Sequence, residues 1–89
     1  MKESYLEVTF RRGRPFAAYL CLPRNSGAKS HRTSKAEPGM VVDFDKNGRA
    51  IGIEITAPTK VTAADLNRVL KDIGAPLVTE NDLAPLQAA

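Results

Sequence analysis

Apolar and polar residues alternate from Tyr5 to Phe10, with Leu6, Val8 and Phe10 on one side and Tyr5, Glu7 and Thr9 on the other. A period of two predicts a strand with one buried face. Pro15 to Leu22 alternates again, with Phe16, Ala18, Leu20 and Leu22 opposed to Ala17, Tyr19 and Cys21. Arg11-Arg12-Gly13-Arg14 between them is a turn. A two-residue loop at Arg12-Gly13 would set Val8 against Ala17 and send Phe16 to the wrong side. Pairing Phe10 with Phe16 and Val8 with Ala18 therefore asks for a loop of odd length, with Gly13 free to take positive φ.

Pro23 to Lys29 is a loop by composition, and Ser30 to Lys35 (SHRTSK) has no apolar side, leaving open whether it continues the loop or forms a short polar strand at an exposed position. Glu37-Pro38-Gly39 is a turn. Met40 to Phe44 and Ala50 to Thr56 are rich in β-branched residues and read as strands. Asn47-Gly48 between them is a strong hairpin signal, because a type I′ turn needs positive φ at both central residues. That turn pairs Lys46 with Arg49, Phe44 with Ile51, Val42 with Ile53 and Met40 with Ile55. The apolar residues then share one face, while Asp43, Asp45 and Glu54 take the other, with Gly52 opposite Asp43.

The period changes after residue 60. Leu66, Val69, Leu70 and Ile73 have the spacing of one helix face. Thr62 is the N-cap, Asp65 can return its hydrogen bond, and Val61 can pack on Leu66 as a staple. Gly74 suits a left-handed C-cap and Pro76 prevents continuation. Thr79 to Leu83 repeats the capping signature, with Pro85 expected to limit a second helix to about a turn and a half. The expected fold is α+β, one domain over residues 1–89, with a β-sheet portion at 1–56 and a helical portion at 57–89. It is an antiparallel meander of about five strands, with the helix Ala63–Ile73 on one face. That face gathers Leu6, Val8, Phe10, Phe16, Ala18, Leu20, Met40, Val42, Phe44, Ile51, Ile53 and Ile55.

The candidate chemistry is sparse. Asp43 to Glu54 reads DFDKNGRAIGIE and fits the calcium-loop pattern D-x-[DN]-x-[DN]-G-x₅-E. Such a loop joins two helices, whereas both flanks here have strand period, so the hairpin reading prevails. Asp43, Asp45 and Glu54 would form at most a weak surface cation site. His31 is the only histidine and Cys21 the only cysteine, which excludes an intrachain disulfide and a cysteine-based zinc site. No nucleophile–base pair assembles, and no glycine spacing cradles a phosphate, so neither catalysis nor a cofactor is expected.

Charge adds one feature. Residues 1–35 hold eight Lys/Arg against two Glu, or +6, while residues 36–89 hold five basic against eight acidic residues, or −3, summing to the net +3. Arg11, Arg12 and Arg14 form a candidate basic patch suited to an acidic partner or a phosphate backbone. No apolar run is long enough for a signal peptide or a membrane span, which favours a cytoplasmic protein.

The stretch from Glu37 to Asp45, followed by Asn47-Gly48-Arg49 and Gly52-Ile53-Glu54-Ile55, resembles the core of a bacterial family known as domain of unknown function 2283. Its pattern is E-x-G-hydrophobic-D-x-x-x-x-G-x-hydrophobic-x-G-hydrophobic-E-hydrophobic. The resemblance covers residues 37–56, and residues 5–22 share with it only a hydrophobic hairpin. It implies a small, mostly antiparallel β domain with no catalytic residue, and the association of some members with small toxin-like neighbours hints at an antitoxin-like role.

The uncovered sheet face gathers Tyr5, Thr9, Ala17, Tyr19, Cys21 and Val41. Tyr5, Ala17, Tyr19, Cys21 and Val41 are candidate interface residues, and a homodimer with Tyr19 near its centre is the expectation. The competing arrangement folds Leu77 to Leu86 back over the same face. The leading function is a non-enzymatic module that binds itself or another small protein, and the alternative is a nucleic-acid-binding or regulatory protein acting through the basic hairpin.

Overall fold

A computed structural model describes residues 3–24 and 27–87. Its strands are β1 (Tyr5–Arg11), β2 (Arg14–Cys21), β3 (Arg32–Glu37), β4 (Met40–Phe44) and β5 (Ala50–Ile55), and its helices are α1 (Ala63–Asp72) and α2 (Ala84–Gln87). All pairings are antiparallel, in the order β1-β2-β5-β4-β3. The meander-like order thus joins the β1–β2 hairpin to a three-strand unit through β2 and β5. The polar segment after the loop is a strand, β3, on the far edge. Leu22 N–H donates to Ile51 O at 3.1 Å and His31 N–H to Phe44 O at 2.7 Å, marking where the connecting loop leaves and rejoins the sheet. Residues 25 and 26 of that loop lie outside the described residues.

The first turn differs from the expectation. Arg11 pairs with Arg14, so the loop is the two-residue Arg12-Gly13, with φ of +53° and +78°. The inner register survives, with Val8 opposite Ala18, because β2 carries an extra residue. Thr9 faces Ala17, but Phe10 faces Pro15 rather than Phe16. A β-bulge in the strand supplies the odd residue that the turn was expected to supply.

The second turn is also corrected. Met40 faces Ile55 and Val42 faces Ile53 as the alternation requires, but Phe44 faces Ala50, leaving Ile51 as the extra residue of a bulge. Asp45 N–H donates to Arg49 O at 2.9 Å, and Gly48 N–H to Asp45 O at 3.1 Å. Only Gly48, at +80°, takes positive φ, and Asn47 does not. This is a three-residue loop with glycine in the left-handed position, not a type I′ turn. The physical reason is Asp45, whose Oδ1 accepts from Asn47 N–H at 2.8 Å and Arg49 N–H at 3.0 Å. An Asx turn of this kind fixes the chain before Asn47 can enter a left-handed conformation.

One core cluster joins the inner sheet face to the helical portion. Ala18, Leu20, Met40, Val42, Ile53 and Ile55 meet Val61, Leu66, Val69 and Leu70, and Leu6, Val8 and Phe44 pack at its margin. Burying Leu66, Val69 and Leu70 contributes about 5–9 kcal/mol gross, so packing rather than propensity holds α1. Phe10 and Phe16, expected inside, are half exposed, and Ile51 is buried outside the cluster. Bulges explain the changes at Phe16 and Ile51, which occupy the extra positions. Phe10 keeps its phase but lies near the free end of the hairpin.

The caps behave as the sequence indicates. Thr62 and Asp65 form a reciprocal capping box. After the C-cap Ile73, Gly74 N–H reaches Lys71 O and Ala75 N–H reaches Leu70 O, a Schellman closure with Gly74 at φ +72°. Thr79 and Asp82 repeat the capping box. Pro85 lies in the first turn of α2, where a missing N–H costs little, so it starts this helix rather than limiting it. Asn67 grips the returning chain, donating to Val78 O at 2.9 Å and accepting from Val78 N–H at 2.8 Å. Val78, Leu83 and Leu86 then join the core beside α1. The C-terminal segment therefore covers the helix side, not the outer face. Among the described residues no helix is long and apolar enough to cross a membrane.

Candidate functional site

The outer face is built from β1, β2, β5 and β4. Tyr19 faces Glu54 on β5, and its ring leans across neighbouring Gly52. A Cβ added at Gly52 would stand 2.0 Å from the Tyr19 hydroxyl and 2.2 Å from Cζ, so this close approach requires glycine. The Tyr19 hydroxyl continues to β4 and donates to Asp43 Oδ2 at 2.8 Å. Burial, then the hydrogen bond to Asp43 and its negative charge, hold this phenol well above the usual tyrosine value, partly opposed by Arg24. One side chain thus clasps three strands.

A second cluster lies beside it. Cys21 Sγ donates to Glu7 Oε1 at 3.6 Å. The neighbouring Tyr5 phenol is also held above its ordinary value, first by Cys21, then by desolvation and Glu7. Cys21 is buried, Ala17, Tyr19 and Val41 are half-buried, and Tyr5 alone of the five candidate interface residues is broadly exposed. The face is therefore not an open apolar patch. Its aromatic centre already has intramolecular partners.

The calcium pattern is divided between other tasks. Asp43 accepts from Tyr19, Asp45 holds the turn, and Glu54 stands exposed opposite Tyr19. Among the described residues no three His, Cys, Asp or Glu side chains converge on a common metal position. His31 is exposed at the end of the loop before β3.

Arg11, Arg12 and Arg14 do come together. With Pro15 and Phe16 they line a shallow surface depression of about 680 Å³. The Arg11 guanidinium lies 5.1 Å from the centre of the Phe16 ring, within cation–π range. Neither the exposure of Phe10 and Phe16 nor the Tyr19–Gly52–Asp43 clasp follows from the alternation of the strands. The signal for the clasp was present: a glycine between β-branched residues, directly opposite an outward aspartate.

The family pattern acquires a structural meaning from this geometry. Glu37 pairs with Arg68 of α1. Gly39 and Gly48 take left-handed backbone, Asp43 receives the Tyr19 hydroxyl, and Gly52 admits its ring. The model of a family described as "Protein of unknown function (DUF2283)" matches residues 17–57, and the resemblance is shown over that span, from β2 through β5. No curated protein and no solved structure matches the chain.

Proposed function

We propose that this protein is a non-enzymatic interaction module that associates with itself. One observation carries the reading. The large hydrophobic side chains exposed among the described residues are Tyr5 at 48%, Phe10 at 50%, Phe16 at 54% and Leu77, and the first three belong to the β1–β2 hairpin. A small domain has little apolar surface to spare, and association recovers the burial that one chain cannot provide. A non-enzymatic role is supported by the engagement of Cys21, Asp43 and Asp45 in the fold. A cytoplasmic setting is supported by the free Cys21 thiol. Sedimentation equilibrium tests the reading: the expected mass is twice 9.6 kDa, and a monomer at every attainable concentration would refute it.

A second reading is favoured by the depression at Arg11, Arg12, Arg14 and Phe16. Guanidinium groups beside an exposed ring suit a single-stranded nucleic acid, with phosphates on the arginines and a base on the phenylalanine. An antitoxin-like regulatory role would use the same surface. Anisotropy of a labelled oligonucleotide tests this: binding that falls steeply with salt supports it, and no binding at low salt removes it.

A further inference from the structure

The two edges of the sheet differ in kind. β3, RTSKAE, is almost wholly exposed and polar, and it carries a bulge at Ala36 between its pairings to Val41 and Met40. Charges and bulges are how proteins block edge pairing. β1, YLEVTFR, is far less protected. Its seven residues run without an extra residue, because the bulge of that hairpin lies on β2. Glu7 is the one charge before its last residue. Among the described residues β1 pairs only with β2, and no backbone hydrogen bond from a loop or turn reaches it. An edge strand has N–H and C=O groups along its free side that another strand can satisfy.

We propose that two copies of the chain pair through β1, antiparallel about a two-fold axis at Val8, joining two five-stranded sheets into one. This inference rests on the self-association proposed above and identifies its surface. Val8 faces the partner's Val8, and Leu6 faces the partner's Phe10, so the inner row continues across the axis. Glu7 faces the partner's Thr9, and Tyr5 faces the partner's Arg11. No like charges are opposed along the strand. The turn also finds a complement. Ser4 falls opposite the partner's Arg12, which brings the basic turn toward a hollow of about 370 Å³ lined in part by Glu3, Tyr5, Leu77 and Asp82.

Other registers fit less well. A shift of the axis to Glu7 sets that carboxylate against the partner's Glu7. Centring on Thr9 puts Leu6 opposite the partner's Arg12 and leaves Tyr5 beyond the partner's strand. An axis between two residues opposes inner and outer faces.

Thr9 is exposed and can carry a charge without entering the core. Sedimentation equilibrium on the full chain, its Thr9→Lys variant and its Thr9→Glu variant tests the geometry, with circular dichroism verifying that each is folded. Lysine at this position would meet the partner's Glu7 twice per dimer, and glutamate would meet it with like charge. The expected result is a dissociation constant about fivefold lower for Thr9→Lys and about fivefold higher for Thr9→Glu. If both variants weaken the dimer, or neither moves it, this geometry is wrong while self-association stands. A mass of 9.6 kDa for the parent at all concentrations would overturn both.

Discussion

The β1–β2 and β4–β5 hairpins use one device to opposite ends. Each has a turn that by itself would break the alternation of the inner face, and each restores it with one extra residue in a strand. In the first the extra residue is Phe16, near the free end of an edge hairpin, and it is 54% exposed. In the second it is Ile51, in a central strand, and it is buried. The turns differ as well. Arg12 and Gly13 both take left-handed backbone, a conformation that costs arginine about 1–2 kcal/mol. The second loop has one such position, occupied by glycine, and a carboxylate that holds its N–H groups. The lesson is that a bulge has no fixed consequence. At the edge it yields an exposed aromatic beside arginines; at the centre it sits next to Gly52, where Tyr19 locks three strands.

The largest effect expected from this contrast is at Gly52. Gly52→Ala should cost about 2–4 kcal/mol, because the added methyl displaces the Tyr19 ring and its hydrogen bond to Asp43. In a Tyr19→Ala background most of that cost should disappear. Phe16→Ala, by contrast, should stay within about 0.5 kcal/mol. Urea melts of these variants decide it. Equal costs at Gly52 and Phe16 would erase the distinction between a locking hairpin and a presenting one.

Asp45→Ala removes the acceptor for two backbone N–H groups and should cost about 1–2 kcal/mol. Hydrogen exchange should accelerate at the Asn47 and Arg49 amides while the amides of β2 stay protected. Smaller effects separate the turns by sign. Arg12→Gly relieves a left-handed arginine and should stabilise by about 0.5 kcal/mol, whereas Asn47→Gly only adds freedom to the unfolded chain and should destabilise by a similar amount. Matching signs would show that the two turns are not built differently. The smallest effect is the response to calcium. With Asp43 and Asp45 engaged, calorimetry should show no affinity tighter than about millimolar. A micromolar constant that disappears in Asp45→Asn would mean that the second loop opens to bind a cation.

Local rules carried much of this fold in the sequence itself. Thr62, Asp65 and Gly74 specify the ends of α1 because caps are made by residues within a few positions of one another. The period of two located the strands, and the pairings Val8–Ala18, Val42–Ile53 and Met40–Ile55 came from keeping one face apolar. Turn type was not legible from Asn-Gly alone, since an aspartate two residues before Asn47 outweighed the dipeptide's preference. The positions of Phe10, Phe16 and Ile51 were not legible either, because a bulge changes phase within a strand and leaves no mark in an alternation count. Tertiary structure decided the rest. Only the pairing of β2 with β5 carries Tyr19 over Gly52 toward Asp43, and only the strand order makes β1 an edge. These depend on which segments meet in space, and side chains distant in sequence acquire their partners only when the sheet has closed.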